Sequence, residues 1–321
     1  MRFVVVGVGA IGGVLAARLV QAGHEVVGVA RGTQLAAVRE RGLTLATPTG
    51  TSVARLPVHG RLSDVAAGAD EVVVVATKSQ DTPSVVADLV ASGRRDTPVF
   101  FAQNGVANEP HALRSLGAVY GVVVMAPTTY LRPGEVVAYS SPTTGILDVG
   151  RYPGGVDEVA ERVAAALRRA TFDSRAIPDV RRWKYAKLVT NLGNAVEAVC
   201  GPAARPGPLV QVLEAEARGV LDAAGIEAAS PAEDLHRRGS IIALHPVDGR
   251  RRPGGSTWQS LARGTGVTEV DYLNGEVVML GRLHGVPTPA NALLRDLATD
   301  LARRRAAPGA YAASDLLARL R

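Results

Sequence analysis

The chain has 321 residues and a net charge of +6; 47% of the residues are hydrophobic, 21% charged and 4% aromatic. That length suits two domains with ample core, and a single cysteine, Cys200, excludes an internal disulfide and points to a reducing compartment. No apolar run approaches the ~20 residues that span a membrane, and the cations are spread among acids without basic blocks interleaved with aromatics, which argues against a nucleic-acid partner and for an anionic cofactor and an acidic substrate.

The chain opens directly on an apolar run, Phe3-Val4-Val5-Val6, with no charged leader and apolar signal core. A soluble, cytoplasmic protein is therefore expected. The run lacks alternation, as a parallel strand buried on both faces should. Gly7-Val8-Gly9-Ala10-Ile11-Gly12 follows, and residues 13–22 read as a helix with Val14, Leu15, Leu19 and Val20 on one side. Gly23 stops it. Val26-Val27-Gly28-Val29-Ala30 is a second apolar run that ends on Arg31. A GxGxxG between a strand and a helix, leading to a second strand, is the context that marks a dinucleotide site. Gly7 permits the tight turn, Gly9 lets a backbone lie against a pyrophosphate and Gly12 lets helix and strand pack closely. The helix N-terminus at Ala10 and Ile11 presents N–H groups and a positive dipole end to the phosphates. Arg31 stands where NAD-binding chains usually carry an acid. Nothing there repels a 2′-phosphate and a guanidinium can pair with it, so NADP(H) is expected.

Further along, residues 34–41 read as a short helix, and 43–46 and 53–58 as strands around Thr47-Pro48-Thr49-Gly50. An apolar strand over 71–76 leads to Lys78. A helix starts at Asp81 or Thr82 with Pro83 in its first turn. The strand at 98–101 runs into Gln103-Asn104-Gly105, and 118–125 is another. Segments 134–136 and 145–147 suggest a late hairpin, 156–170 an amphipathic helix and 172–177 a last strand. This alternation predicts a doubly wound parallel sheet with ligands beyond the C-terminal strand ends, where Gly7, Arg31, Lys78 and Asn104 fall.

Near Pro178 the period turns helical. Residues 179–200 read as one long helix, followed by helices over 208–224, from a capping box at Ser230-Pro231-Ala232-Glu233, over 268–284, and from Thr288 towards Arg305. The expected architecture is an α/β Rossmann-type doubly wound domain over residues 1–178 and an all-α domain over 179–321.

The helical half carries three polar groups of interest. Trp183, Lys187, Asn191 and Asn194 form a stripe on one helix, and such residues are costly to bury unpaired. From the spacing alone, a solvated polar face is the better explanation. Ser256 follows the flexible Pro253-Gly254-Gly255 and also fits a helix cap. Glu269, in Glu269-Val270-Asp271-Tyr272-Leu273-Asn274-Gly275, also fits a first-turn anion favoured by the helix dipole.

Taken together and in order, these residues resemble the ketopantoate reductase family. The matching positions are Gly7, Gly9 and Gly12, Arg31, Lys78, Gln103-Asn104-Gly105, Trp183, Lys187, Asn191, Ser256 and the segment from Glu269 to Gly275. The resemblance implies NADPH-dependent reduction of 2-dehydropantoate to pantoate, on the route to coenzyme A. It implies Lys187 as general acid and Glu269 as acceptor of the substrate hydroxyl's hydrogen bond. It also implies Asn104, Asn191 and Ser256 as substrate contacts and Lys78 and Asn104 as cofactor contacts; no metal is implied. Where the family often has a second Asn, this chain has Ala195. Asn194, about 20° from Lys187 around the axis, is the substitute candidate. Trp258 is bulkier than the family pattern, and Gly264-Thr265-Gly266 precedes Glu269. A paralogue acting on another 2-oxo acid or ketone therefore stays open, as does a non-catalytic NADP-binding sensor. A homodimer is neither required nor excluded.

Overall fold

Valine runs without polar alternation become the interior of a sheet covered on both faces. The computed structural model describes residues 1–320. In chain order the elements are β1 (Arg2–Val6), α1 (Ala10–Gln21), β2 (Glu25–Val29), α2 (Gly32–Arg41), β3 (Leu43–Thr47), β4 (Gly50–Ala54), β5 (Val58–His59), β6 (Glu71–Val75), α3 (Thr82–Ala91), β7 (Val99–Phe101), α4 (Asn108–Ala112), β8 (Val119–Met125), β9 (Thr128–Arg132), β10 (Glu135–Ala138), β11 (Gly145–Arg151), α5 (Glu158–Arg169), β12 (Phe172–Asp173) and α6 (Val180–Asn191). Then come α7 (Gly193–Cys200), α8 (Pro208–Ala223), α9 (Pro231–Arg238), α10 (Ser256–Ala262), α11 (Asn274–His284), α12 (Pro289–Arg303) and α13 (Ala313–Arg319).

The main sheet has eight strands in the order β12-β11-β8-β7-β6-β1-β2-β5. It is parallel from β5 through β8, and β11 is antiparallel to β8. Phe3 and Val5 belong to the core on one face while Val4 and Val6 belong to the core on the other, which is why the run shows no polar alternation. A second sheet, β4-β3-β10-β9, lies over α1. There Gly13 faces Val136, and a Cβ at Gly13 would stand 2.7 Å from its side chain.

Several expected elements differ. Segments 134–136 and 145–147 do not pair with each other: β10 pairs with β9 and β3, and β11 pairs along its length with β8. Burial explains the sorting. β10 is alternately half-buried and buried, as an outer sheet allows, whereas β11 is buried at every position but its last. The strand expected over 53–58 is split by Pro57, which has no N–H for a ladder. β4 ends at Ala54, and Val58–His59 pairs with β2 as β5. Of 172–177, only Phe172 and Asp173 join the ladder, with a lone bridge at Ala176.

The single helix expected over 179–200 is two, α6 and α7, meeting at Leu192. The Thr190 carbonyl freed at the junction accepts a hydrogen bond from Arg205 Nη2 at 2.7 Å. Gly193 leaves room for that side chain, since a Cβ there would stand 2.9 Å from Arg205 Nε. The helix expected from 268 starts later: Val270–Tyr272 is one 3₁₀ turn and α11 begins at Asn274.

The chain forms two compact units. The first is Met1–Asn104, Asn108–Lys184 and Ala232–Arg252; the second is Gly105–Ala107, Tyr185–Pro231 and the chain from Pro253 on. A single cut at 178 differs from this division in three places, the first being Gly105–Ala107, which belong to the second unit. The first turns of α6 stay with the sheet because Val180 and Lys184 pack where Gly121 of β8 has no side chain. α9 returns to the sheet because Arg237 grips Asp148 with two bonds of 2.7 Å and also reaches Asp173. The second unit is helical around Leu188, Leu192, Val196, Leu213, Leu273 and Leu294. Among the described residues no helix is long and apolar enough to cross a membrane.

Arg237→Met would leave Asp148, with a side chain only 3% exposed, buried without its cation. Removing one partner of a buried pair costs on the order of 3–5 kcal/mol, so denaturant unfolding of the sheet unit should shift to clearly lower concentration. An unchanged midpoint would show that the fork does not hold α9.

Candidate active site

Ladder bonds that continue past the strand ends set the chemistry-bearing residues side by side. Gly7 N–H donates to Val29 O at 2.9 Å, Ala76 N–H to Val6 O at 2.8 Å and Ala102 N–H to Val75 O at 2.9 Å. The segments after β2, β1, β6 and β7 therefore share the sheet's C-terminal edge. Gly7 turns the chain with φ +99°, and a Cβ on it would stand 2.7 Å from Thr77 N. A Cβ on Gly12 would stand 2.0 Å from Gly7 O and 2.9 Å from Ala76 Cβ. Both positions exclude any side chain for the protein's own sake.

Gly9 is different. A Cβ there would meet nothing within 4 Å, so the fold itself has no need of glycine at that position. The first bond of α1 is Gly13 N–H to Gly9 O, 2.7 Å, which leaves the amides of Ala10, Ile11 and Gly12 directed out of the helix end. No acid stands in that first turn. Open space beside Gly9, outward amides and the positive dipole end fit a pyrophosphate.

Arg31 is exposed two residues beyond β2, in extended backbone at the start of α2. One turn on, Gln34 is buried. Its Nε2 donates to Val8 O at 2.8 Å and its Oε1 accepts from Gly134 N–H at 2.7 Å. It thus pins the glycine loop to the second sheet, a role its place in a short polar helix did not reveal.

Lys78, half-buried, precedes a 3₁₀ turn at Ser79–Asp81. Beside it Gln103 Nε2 donates to Thr82 Oγ1 at 2.9 Å, and Thr82 Oγ1 donates to Asn108 Oδ1 at 2.7 Å. Asn108 Nδ2 donates to the Asn104 carbonyl at 3.2 Å. These bonds shape the turn that carries Asn104. Sequence reasoning missed Asn108, Glu109 and Lys184, although Lys184 lies one turn before Lys187 and an in-strand glycine, Gly121, makes room for it.

In the helical unit, Lys187 and Asn191 stand one turn apart on α6, with Asn191 only 5% exposed. Asn194 is on α7, beyond the break, so the four-residue stripe does not run along one continuous helix. Asn194 Oδ1 accepts from Arg205 Nη1 at 2.7 Å. Glu197 Oε2 accepts from Gly255 N–H at 3.0 Å, and a Cβ on Gly255 would stand 2.9 Å from Asn194 Oδ1. The segment entering Ser256 therefore lies on the Asn194–Glu197 face of α7. Ser256 is the first residue of α10 and Gly255 holds the cap position, so a capping role for the serine falls away. The Trp258 ring folds back over Gly254, where a Cβ would stand 2.6 Å away, and packs on the helical core.

Glu269 is 7% exposed and precedes the Val270–Tyr272 turn, its carbonyl accepting from Tyr272 N–H at 2.9 Å. Gly105 lies against that turn; a Cβ on it would stand 2.8 Å from Tyr272 O. Arg205, which organises the helix break, gave no signal in sequence because a lone cation in a Pro/Gly loop reads as solvated. Cys200, last in α7, takes no part: burial pushes its thiol up to about 11.

The family described as "Ketopantoate reductase PanE/ApbA" matches residues 3–154, and "Ketopantoate reductase PanE/ApbA C terminal" matches 179–302. A 2-dehydropantoate 2-reductase of Archaeoglobus fulgidus is 31% identical over 306 residues, covering 92% of this chain and 96% of that protein. The crystal structure of a PanE/ApbA family ketopantoate reductase from Ralstonia eutropha is similar at TM-score 0.79 and 27% identity, over 95% of this chain and 99% of that one. A ternary structure of D-mandelate dehydrogenase with NADH and anilino(oxo)acetate shares the fold at TM-score 0.79 and 21% identity, over 95% and 99%.

The two kinds of glycine separate experimentally. Gly12→Ala should lower the thermal midpoint by several degrees, because backbone must move. Gly9→Ala should stay within about 0.5 kcal/mol of the parent, as open surface sites do, while weakening dinucleotide binding measured by calorimetry. Equal midpoints for both variants would contradict the steric reading of Gly12.

Proposed function

The chain belongs to the ketopantoate reductase family, and on that premise we propose that it is an NADPH-dependent 2-dehydropantoate 2-reductase that converts the ketone of its 2-oxo acid substrate to an alcohol. The observation that carries this reading is the pairing of Lys187 and Asn191 one turn apart on α6, in a chain whose glycine loop leaves open space beside Gly9. The sheet domain holds the cofactor and the helical domain holds the substrate. A cytoplasmic setting supplies the reduced cofactor.

NADPH, when bound, supplies the hydride that the ketone carbon accepts. The amides of Ala10, Ile11 and Gly12 receive the pyrophosphate, and Arg31 pairs with the 2′-phosphate. Lys78 and Asn104 orient the nicotinamide end and the substrate. The Lys187 ammonium bonds to the ketone oxygen, stabilises the negative charge that grows there and delivers a proton to it. Glu269 accepts a hydrogen bond from the substrate hydroxyl. Asn191 and Ser256 hold the carboxylate region. Asn194, its Oδ1 already taken by Arg205, contributes the donor Nδ2, the polarity a carboxylate needs.

A second reading, reduction of a different 2-oxo acid, draws support from Asn194 and Trp258, where the chain departs from the family's pattern. NADPH oxidation followed by absorbance with ketopantoate and a panel of 2-oxo acids decides between them. Turnover of ketopantoate supports the first reading, and turnover only of other acids selects the second. Binding of NADPH without turnover of any of them would select a sensor.

Lys187→Ala should lower the rate by on the order of 10²–10⁴, the usual worth of a positioned acid, with NADPH affinity kept; full activity would remove it as the proton donor. Arg31→Ala should weaken NADPH far more than NADH in parallel titrations. Equal weakening of the two would refute the 2′-phosphate assignment.

A further inference from the structure

A fully buried carboxylate lies directly behind the turn that carries Asn104. Glu109, at 0% exposure, is paired with Lys184, at 4%. The Lys184 Nζ also donates to the Gln103 carbonyl at 3.1 Å. Three segments meet at this ammonium: the stretch after β7 through Gln103, α4 through Glu109, and the first turns of α6 through Lys184 itself. The lysine stem passes β8 at Gly121, where a Cβ would stand 3.3 Å from Lys184 Cδ and 3.1 Å from Val180. Charges this deep are retained only when paired, and here the pair is joined to a main-chain carbonyl immediately before Asn104. Glu109 Oε2 is buried without a hydrogen-bond partner among the described residues. Burial pushes its carboxyl up, while the Lys184 charge draws it back. A scaffold pair with no other duty would be replaced at little cost by apolar side chains.

We propose that Glu109 and Lys184 are positioning residues that set the Gln103–Asn104 turn for the nicotinamide end of the cofactor. The proposal rests on the NADPH reading and adds to it two residues that touch neither substrate nor cofactor. They act through the Gln103 carbonyl, which Lys184 draws down while Asn108 holds the carbonyl of Asn104. The rest of the cofactor site, at Gly9 and Arg31, is held by other bonds.

The test compares NADPH with 2′-phospho-ADP-ribose, the same cofactor without nicotinamide, by calorimetry on the whole protein. Lys184→Met strands a buried carboxylate and is expected to lower stability, so the informative variant is Lys184→Met/Glu109→Leu, which replaces the pair with apolar groups of similar volume. With its thermal midpoint near the parent's, this double variant should bind 2′-phospho-ADP-ribose unchanged, bind NADPH about tenfold more weakly, and lose kcat. Glu109→Gln, which keeps an acceptor for Lys184 but leaves its charge uncompensated, should lower the thermal midpoint yet keep most of the parent's NADPH preference. A double variant that binds both ligands like the parent, or loses both equally, overturns the proposal. If the parent itself binds neither ligand, the cofactor reading fails first and the proposal falls with it.

Discussion

Gly12 is seated so close to the Gly7 carbonyl that a side chain there would stand 2.0 Å from the oxygen. That contact lets α1 start immediately after β1 and aims its N-terminus along the C-terminal edge of the sheet. Much of what lies around it follows. α1 is buried along most of its length because the second sheet covers it. Gln34 can then bridge the loop and the Gly134 turn of that sheet. The residues after β2, β6 and β7 come level with the loop because each ladder runs one residue past its strand.

Buried charge marks the other fixed points of the first unit. At the opposite end of β6, Arg94 pairs with Glu71 at 2.7 Å, the two side chains 1% and 3% exposed. Arg237 ties α9 to β11 through Asp148, and Lys184 ties α6 to α4 through Glu109. Buried pairs contribute little net stability against apolar packing, but breaking one is costly. Each joins elements distant in the chain: Arg94 with the start of β6, α9 with β11, and α6 with α4. The pair at Lys184 stands one helical turn before Lys187, so the helix bearing the candidate acid is anchored at its root.

The helical unit uses a different device. α6 and α7 break at Leu192, and Arg205 takes up the Thr190 carbonyl and the Asn194 amide oxygen together. Asn194 therefore stands on the second helix, in its first turn, and Lys187 and Asn191 on the first. Glu197, one turn further, then receives the amide of Gly255 and so holds the start of α10. Asn194 and Ala195 fall at this junction, and Trp258 lies on α10, the helix whose start Glu197 holds.

Local chemistry decides the parts that were legible from residues alone. Strand–glycine–helix order, unbroken valine runs and the change of period near residue 178 depend on neighbours close in the chain, and each appears in the fold. So does the order of motifs from Gly7 to Gly275, which sufficed for the family. What needed the folded molecule involves partners far apart in sequence. Pro57 splitting a strand was readable in principle, but the sorting of β10 and β11 into different sheets depends on which faces become covered. The break at Leu192 depends on Arg205, the return of α9 on Asp148, and the burial of Lys184 on a glycine sixty-three positions earlier, at Gly121. A lysine on a helix has the same local signature whether it meets water or a buried glutamate; only the packing around it, which sets the cost of leaving the charge unpaired, distinguishes the two.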